Sequence, residues 1–331
     1  MAYDITQLQI DVLNELRSHP RSYLSIRQLA DSTNQPPQLI ARALKELENW
    51  GYGLLSNAEG GVRYGSSPDV LFPHEIEHGL EARLIAQNIF SLDRVGSTNT
   101  LAHKYAERGQ PEGTLIIAER QTAGKGRLGR TWHSPAGCGL YFSLILRPPI
   151  SPAQAPGISL ITALAIVEAI RASSKLKAQL KWPNDVLCEG CKVAGVLTEL
   201  AAELDRVRYV VVGIGINVNH QAEDFPPALR DKAGSLRQLV GAPIDRIKLL
   251  QLVLSRFEFN YQRFVRSGLK DAVKSIRRYS AVLGKPVSFQ INGEHRSGRA
   301  VDIDGNGLLV VEVNGKTMTL GSGEISLAEN Y

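Results

Sequence analysis

A long glycine-rich, cationic segment between two apolar runs is the feature that most restricts what this chain can fold into. Residues 120–130 hold four cations, three glycines and no acid. The runs on either side, 113–118 and 139–146, have the β-branched and aliphatic pattern of buried strands. Backbone N–H groups and cationic side chains in such a loop converge readily on an anion. The segment therefore predicts a loop that binds a negatively charged ligand.

The spacing Gly124-x-Gly126-x-x-Gly129 also satisfies the dinucleotide-binding fingerprint. That fingerprint needs a helix directly after the glycines and an acid about 20 residues further on. Pro135 follows too closely for a clean helix start, and residues 145–155 contain no acid, so a Rossmann fold is disfavoured. A solvated basic loop without a ligand is the other interpretation, and the motifs further along the chain argue against it.

The bulk composition indicates an ordinary globular protein of two or three domains, because the chain has 331 residues and 43% hydrophobic content. We expect that no stretch approaches the ~20 apolar residues of a membrane span. We also expect no secretory signal, and hence a cytoplasmic location. The three cysteines do not make a disulfide framework. Cys188 and Cys191 flank a Glu-Gly pair, which we interpret as a hairpin turn. No second cysteine pair accompanies them, so we expect no protein-held metal site.

Residues 1–65 have the pattern of three helices followed by a two-stranded wing, the outline of a winged helix-turn-helix. The helix that begins near residue 36 would be the recognition helix in the major groove of DNA, with Gln38, Arg42 and Lys45 as its forward polar groups. This segment holds six basic and seven acidic side chains, a net charge of −1. Such a charge does not favour binding to phosphates, so a domain that no longer binds DNA is an open alternative.

The remaining chain divides into three parts by pattern. Residues 66–81 are predicted as a linker. Residues 82–281 mix strand and helix patterns in an order that favours an α+β fold over a doubly wound sheet, with a strand expected over 176–181 and a helix over 269–279. Residues 282–331 change to short strands joined by Asn-Gly and Asp-Gly turns, which predicts a small β-barrel.

Five short motifs follow one another along the central part of the chain. They are Ser97-Thr98-Asn99, Gln121-x-x-Gly124-Lys125-Gly126-Arg127-x-Gly129-Arg130-x-Trp132, Lys181-Trp182-Pro183-Asn184-Asp185, Lys192-Val193-Ala194-Gly195-Val196-Leu197-x-Glu199 and Gly213-Ile214-Gly215-Ile216-Asn217-Val218-Asn219. In this order and spacing they resemble the biotin–protein ligases, and specifically the bifunctional ligases that also repress the biotin operon. The resemblance covers essentially the whole chain. It implies an N-terminal winged helix-turn-helix, a central mixed α/β domain of the biotin/lipoate ligase type and a C-terminal SH3-like barrel.

The resemblance implies an enzyme that uses ATP and Mg²⁺ to convert biotin to biotinyl-5′-AMP. It then transfers biotin to a lysine of the biotin carboxyl carrier domain of acetyl-CoA carboxylase. It also implies repression of biotin synthesis by an adenylate-loaded homodimer bound to operator DNA. Three alternatives remain open at this point: a ligase whose DNA-binding domain no longer functions, a lipoate or octanoate ligase, and a ligand-sensing regulator without catalysis.

The candidate site residues follow from the same motifs. Lys192 lies seven residues after Asp185, across the predicted turn, so a hairpin would place the two side by side. By resemblance, Lys192, Arg127 and Asp185 are the catalytic set, with Asp185 orienting Lys192 or binding Mg²⁺. The resemblance assigns biotin to Ser97, Thr98, Asn99, Gln121, Lys125, Gly126, Arg127, Lys192 and Gly195. It assigns ATP to Lys125, Arg130, Trp132, Asn184, Asp185 and Asn217.

Overall fold

The chain divides into two compact units, a smaller one that ends at Val70 and a larger one that begins at Leu71. The computed structural model describes residues 5–203, 206–291, 294–321, 323 and 325–327. The larger unit contains both the predicted ligase domain, 82–281, and the predicted barrel, 282–331.

The smaller unit is a three-helix bundle with a two-stranded antiparallel wing. Thr6 and Ser25 begin their helices with capping boxes, which satisfy the free N–H groups of the first turn. Apolar residues at helical spacing, including Leu13, Ile40 and Leu47, are fully buried between the helices. The elements are α1 Gln7–Ser18, α2 Ile26–Thr33, α3 Pro37–Asn49, β1 Gly53–Ser56 and β2 Val62–Ser66.

A seven-stranded mixed sheet is the centre of the larger unit, with the strand order β3-β4-β5-β9-β8-β7-β6. Only β3 and β4 pair in parallel; the other neighbours are antiparallel. All eight residues of β5 are buried because helices cover both faces of the sheet. The strands are β3 Ile89–Val95, β4 Leu115–Gln121, β5 Gly139–Leu146, β6 Gln179–Lys181, β7 Asp185–Cys188, β8 Cys191–Ala202 and β9 Val207–Asn217.

The longest helices, α6 and α8, pack together on one face of this sheet, and α5 contributes to a separate apolar cluster on the other face. Asp245 caps α8 by accepting a hydrogen bond from the Lys248 N–H at 3.0 Å. The helices are α4 Pro73–Glu77, α5 Thr98–Glu107, α6 Pro156–Ser173, α7 Leu236–Val240, α8 Arg246–Ser267 and α9 Val273–Arg278.

Among the described residues, one helical stretch, Pro152–Ser173, is long and apolar enough to cross a membrane by length and composition. The expectation that no stretch approaches this composition was therefore wrong. In the folded protein, 72% of the apolar part of this stretch is buried. The stretch contains the central core helix of the larger unit, which explains why it is apolar nearly all round.

The C-terminal residues form a five-stranded antiparallel sheet in the order β13-β12-β11-β10-β14. Its apolar side joins the core of the larger unit, and the Trp182 indole N–H donates to the Gly307 carbonyl at 2.9 Å. This hydrogen bond connects the C-terminal sheet to the turn before β7. The strands are β10 Pro286–Ile291, β11 Glu294–Ile303, β12 Leu309–Val313, β13 Lys316–Leu320 and β14 Ile325–Leu327.

Three elements differ from the sequence predictions. The strand expected over 176–181 is limited to β6, because its pairing with β7 begins at Gln179; in that register residues 176 and 177 fall opposite the turn residues 189 and 190. The helix expected over 269–279 is limited to α9, because the chain forms a turn after Gly268, whose φ is 64°. Strand β3 was not predicted, since Ser91, Asp93 and Arg94 interrupt its apolar pattern.

The predicted linker, 66–81, extends across the division between the two units. Its second half belongs to the core of the larger unit, where Leu71, Phe72 and Ile76 are buried. The Leu71 N–H donates to the Glu119 carboxylate at 2.9 Å, and that carboxylate also pairs with the buried Arg246 at 2.7 Å. The segment after Leu71 is thus held by packing and by a buried polar network.

The Cys188–Cys191 segment is the tight hairpin turn that its sequence predicts. The backbones of the two cysteines lie opposite each other where β7 and β8 join, and both side chains are free thiols. Glu189 and Gly190 have φ values of 48° and 81°, the left-handed pair that a two-residue hairpin requires.

We expect the substitution Gly190→Ala to lower the free energy of unfolding by about 1 kcal/mol, because a Cβ disfavours the left-handed conformation. Urea denaturation followed by circular dichroism measures the change. Glu189→Gly is the matched control and should change stability little, since Glu189 already adopts a positive φ. Equal stability of Gly190→Ala and the unmodified protein would contradict the assigned turn.

Candidate active site

A cavity of about 280 Å³ opens where the β4–β5 loop, the β7–β8 hairpin and strand β9 meet. It brings together every residue that the sequence assigned to small-molecule binding or catalysis. These lining residues are Ser97, Thr98, Asn99, Gln121, Lys125, Gly126, Arg127, Arg130, Trp132, Asn184, Asp185, Lys192, Gly195 and Asn217.

The cavity is strongly cationic. Asp185 is the single carboxylate among the described residues that line it, against six lysine and arginine side chains. Sequence reasoning missed two of these cations, Lys181 and Lys232. A signal existed for Lys181, which begins the Lys-Trp-Pro-Asn-Asp motif, whereas Lys232 lies in a segment without a strong pattern. This excess of positive charge suits a ligand with several negative charges, such as a nucleoside triphosphate.

Lys192 and Asp185 face each other across the hairpin, as their spacing predicts. Lys192 Nζ lies 2.7 Å from Asp185 Oδ1, and both side chains are partly exposed to the cavity. The Lys192 backbone is fixed as well: its N–H donates to the Lys232 carbonyl at 3.0 Å, and its carbonyl accepts from Gly234 at 3.1 Å. Asp185 thus forms an ion pair with a lysine whose main chain is held on two sides.

Arg127 extends across the mouth of the cavity. The β4–β5 loop contains a short 3₁₀ turn, Arg127–Gly129, in which Leu128 has a φ of 57° and an exposed fraction of 73%. From this turn, Arg127 Nη1 donates to Asn184 Oδ1 at 2.7 Å, and Nη2 donates to the Gly323 carbonyl at 3.4 Å. The loop is therefore connected to the turn before β7 and to the C-terminal sheet region.

Trp132 packs on two glycines of the sheet and forms one wall of the cavity. A Cβ at Gly215 would lie 2.4 Å from the indole, and one at Gly195 would lie 3.0 Å from it. Lys192 Nζ lies 5.5 Å from the indole ring centre, within the range of a cation–π contact. Trp132 is half-buried, so it both packs against the sheet and covers the site.

Asn217 is placed in the cavity wall, where it supports neighbouring backbone. Its side-chain amide donates to the Gly234 carbonyl at 3.1 Å and to the Lys192 carbonyl at 3.4 Å. Asn217 therefore holds the 221–235 segment against the strand that carries Lys192.

The opposite end of the cavity is polar without net charge. Gln121 Oε1 accepts from the Thr98 N–H at 2.9 Å, and Gln121 Nε2 donates to Ser134 Oγ at 3.0 Å. Ser97 caps α5, as its position predicts, by accepting from the Thr100 N–H at 3.5 Å. A ligand that fits both ends has a neutral, hydrogen-bonding head and an anionic tail.

Asn99 lies in this neutral end with a fixed orientation. It fills the space above Gly213, where a Cβ would lie 2.0 Å from Asn99 Oδ1. Its amide donates to Glu199 at 2.8 Å. Hydrogen bonds from His103 and Asn99 lower the pKa of the Glu199 carboxyl to about 2, so Glu199 is ionised at neutral pH.

Phe225 closes the cavity on the side of the 221–235 segment and stacks on His220, with ring centres 4.9 Å apart. Burial lowers the pKa of His220 to about 4, so the ring behind Phe225 is neutral at physiological pH. His133, another cavity residue, has its Nε2 at 2.7 Å from the Asp224 carbonyl oxygen. Among the described lining residues, the one serine, Ser97, has no histidine partner in a catalytic arrangement.

The recognition-helix residues lie in the smaller unit. Gln38, Arg42 and Lys45 are all exposed on α3. Arg42 pairs with Glu46 at 2.7 Å, which reduces the positive charge that this helix presents. The structure thus leaves the three side chains accessible but does not give the helix a strong cationic surface.

Three family models match successive parts of the chain. Residues 3–52 match the MarR family, residues 91–217 match the Biotin/lipoate A/B protein ligase family, and residues 282–328 match the Biotin protein ligase C terminal domain. Fold and site therefore define a ligase with an N-terminal winged helix, and the architecture predicted from sequence is confirmed.

Individual relatives narrow the class. Bifunctional ligase/repressor BirA of Bacillus spizizenii is 35% identical over 97% of this chain and 98% of its own length. The Escherichia coli protein of that name is 27% identical over 91% of each chain. The solved biotin protein ligase from Aquifex aeolicus in complex with biotin and ATP has a TM-score of 0.64 and 32% identity, over 74% of this chain and 100% of that one. The chain belongs to the bifunctional ligase/repressor family of biotin–protein ligases.

Proposed function

We propose that this protein activates biotin with ATP and transfers it to a lysine of a biotin carboxyl carrier domain, and that it also represses biotin synthesis. One observation carries the ligase assignment: Lys192, Arg127 and four further cations share a cavity whose other end offers neutral hydrogen-bonding groups. Biotin has a neutral cyclic urea at one end and a carboxylate at the other. The cavity matches both.

The first half-reaction joins two anions. The biotin carboxylate oxygen attacks the α-phosphorus of ATP, the bond to the β-phosphate oxygen breaks, and pyrophosphate leaves with that electron pair. Cations placed beforehand offset the repulsion and stabilise the developing charge. In this proposal Lys192 contacts the carboxylate and the α-phosphate, and Arg127 closes over them; the Lys192–Asp185 ion pair and the Arg127–Asn184 hydrogen bond support these roles. Lys181, Lys232 and Arg130 supply positive charge for the outer phosphates.

The second half-reaction needs no nucleophile from the enzyme, because the mixed anhydride is already activated. The lysine amine of the carrier attacks the acyl carbon, and AMP leaves. A reactive adenylate must be shielded from water. The Arg127–Asn184 contact and the Trp132 wall supply that shield in this chain.

Mg²⁺ fits this cavity as a companion of the triphosphate. The described residues contain no cluster of three histidine, cysteine, aspartate or glutamate side chains. Asp185 is the one lining carboxylate, and magnesium sites of this kind use one or two carboxylates together with substrate phosphates. When bound, the ion would neutralise phosphate charge.

A lipoate or octanoate ligase is disfavoured by the neutral end of the cavity. Fatty acyl chains have no N–H or C=O groups in their tails to pair with Thr98, Asn99 and Gln121. Their oxygens keep lone pairs beyond the hydrogen bonds to one another, Ser134, Ser143 and Glu199, and an apolar tail would cover those lone pairs without pairing them, which is costly. The urea of biotin satisfies them.

The test is incubation of the protein with biotin, ATP, Mg²⁺ and a carrier domain of acetyl-CoA carboxylase, followed by mass spectrometry of the carrier. We expect the carrier to gain the mass of one biotinyl group, and only with both small molecules present. Lipoic acid in place of biotin is the control. Modification with lipoic acid but not with biotin would favour the lipoate ligase.

For the repressor activity, we expect DNA of the biotin operon to shift in a native gel only when biotin and ATP are both present. The exposed Gln38, Arg42 and Lys45 support this proposal, as does the name of the relatives. One recognition helix alone would bind DNA weakly, and a homodimer would present two such helices and so double the contacts. The variant Arg42→Ala should weaken the shift, whereas Arg266→Ala on α8 should not. An unchanged shift in Arg42→Ala would contradict this use of the helix.

We place the enzyme in the cytoplasm, where its acceptor and its DNA would both be accessible. The three free thiols and the burial of the apolar helix α6 are compatible with that location. Sedimentation velocity with and without biotin and ATP would show whether the homodimer depends on the adenylate.

A further inference from the structure

A buried chain of hydrogen bonds leads from Thr98, at the neutral end of the cavity, to Glu199. Thr98 Oγ1 lies 2.8 Å from Ser143 Oγ, and Ser143 Oγ lies 2.6 Å from Asn99 Oδ1. Asn99 Nδ2 lies 2.8 Å from Glu199 Oε2. Thr98, Asn99 and Ser143 are each at most 4% exposed, whereas Glu199 lies outside the cavity lining.

The carboxylate at the end of this chain determines the direction of every hydrogen bond in it. An ionised carboxylate only accepts hydrogen bonds. Asn99 must therefore turn its NH₂ group toward Glu199 and its oxygen toward Ser143. Because the Asn99 oxygen also only accepts, the Ser143 hydroxyl must donate to it.

Thr98 is the last member of the chain and lies at the cavity wall. Its hydroxyl has two protein oxygens within reach, Ser143 Oγ at 2.8 Å and Gln121 Oε1 at 3.1 Å. Ser143 already donates to Asn99 and Gln121 Oε1 is an acceptor, so the Thr98 proton goes to one of these two. In both cases the Thr98 oxygen presents lone pairs, and no proton, to the cavity.

Glu199 is itself fixed by its surroundings. His103 Nε2 lies 3.4 Å from the same Glu199 oxygen, and His103 Nδ1 lies 3.3 Å from the Tyr209 hydroxyl. The His103 ring therefore lies between the Glu199 carboxylate and Tyr209, a residue that is 4% exposed and also pairs with Glu107. These contacts limit the positions that the Glu199 carboxylate can take.

We propose that Glu199 is a positioning residue which makes the Thr98 hydroxyl oxygen, at the neutral end of the cavity, a hydrogen-bond acceptor, and so selects a ligand with urea N–H groups. This rests on the proposed function, in which Thr98 and Asn99 meet the biotin ring. Glu199 acts through Asn99 and Ser143 and touches no substrate. Ligands without N–H groups at this end gain nothing from it.

The test is the substitution Glu199→Gln, which keeps the shape but lets the amide pair with Asn99 in either direction. We expect the KM for biotin to rise about tenfold, because losing one correctly directed hydrogen bond to the urea lowers affinity by about that factor. The kcat at saturating biotin and the KM for ATP should stay within about twofold, a split that general loss of structure would not produce. Dissociation constants for desthiobiotin, which keeps the urea, should rise as for biotin.

Two further variants complete the design. Ser143→Ala interrupts the same chain at another point and should reproduce the urea-selective loss, including when Glu199→Gln proves too unstable to assay. Glu203→Gln is the matched control, because Glu203 follows the same strand but pairs with Arg206 at the surface, and it should behave as the unmodified protein.

The outcomes separate the two proposals. An unmodified protein that binds biotin, together with an unchanged KM for biotin in Glu199→Gln and Ser143→Ala, overturns the role of Glu199 and leaves the ligase assignment intact. Equal weakening of biotin and ATP overturns it also, because the effect is then not directed at the urea. An unmodified protein that does not bind biotin overturns the proposed function, and this inference with it.

Discussion

Replacing Lys192 with alanine should lower the rate of biotinyl-adenylate formation by about 100-fold to 1,000-fold, the usual effect of removing one group that stabilises transition-state charge. Lys192 Nζ is held 2.7 Å from Asp185 and faces the cavity beside Trp132. The side chain is therefore placed before substrate arrives, and alanine leaves the meeting of two anions without that charge. Biotin-dependent release of pyrophosphate measures the rate.

Lys175→Ala is the control for this experiment, because Lys175 is exposed and lies outside the cavity lining. It should retain full activity. Synthetic biotinyl-adenylate supplied to Lys192→Ala should restore much of the transfer to the carrier, since activation is then bypassed. Normal pyrophosphate release by Lys192→Ala would refute its assigned role.

Replacing Arg127 with alanine should speed the escape of the adenylate about tenfold to 100-fold, since one charged hydrogen-bonding group is lost from the ligand enclosure. Arg127 bridges the cavity mouth through Asn184 and the Gly323 carbonyl. Without it, the loop has one fewer connection to the opposite wall. The escaped adenylate should then attach biotin to unrelated proteins, which streptavidin blotting of added serum albumin detects.

Arg120→Ala is the matched control for that variant. Arg120 is an exposed arginine seven residues earlier, at the end of β4, and it does not line the cavity. Biotin on albumin should stay at background with Arg120→Ala. If Arg127→Ala also stays at background while still forming adenylate, Arg127 does not retain the intermediate.

The sequence predicted the parts of the site that depend on short-range chemistry. The cationic loop, the Ser97 helix cap and the Glu189-Gly190 turn each have a local cause in glycine, hydroxyl or turn residues. The Lys192–Asp185 pair followed because a two-residue turn brings the ends of the two strands together, although a β-bulge shifts the register so that Asp185 lies opposite Gly195. Such features need no knowledge of the rest of the fold.

What the sequence did not predict depends on long-range pairing. Strand β3 forms from a polar-interrupted segment because β4 supplies its parallel partner. The hydrogen bond from Arg127 to the Gly323 carbonyl joins residues 196 positions apart, and no local sequence pattern predicts it. Glu199 stood inside a recognised motif, yet its bond to Asn99 appears only when β8 and α5 are brought together.

The same limit explains the linker and the apolar helix. Residues after Leu71 have the composition of a connection but pack into the core through Leu71, Phe72 and Ile76. Helix α6 has the composition of a membrane span but lies under the sheet. In both cases burial by distant elements, rather than local composition, determines the structure.

The most direct measurement is a crystal structure of the protein with a non-hydrolysable biotinyl-adenylate analogue. We expect the acyl–phosphate linkage within hydrogen-bonding distance of Lys192 Nζ and the Arg127 guanidinium, with the urea ring against Thr98 and Asn99. Should the analogue occupy another site while the 124–130 loop extends into solvent, the assignment of this cavity as the place where biotin is activated would be contradicted.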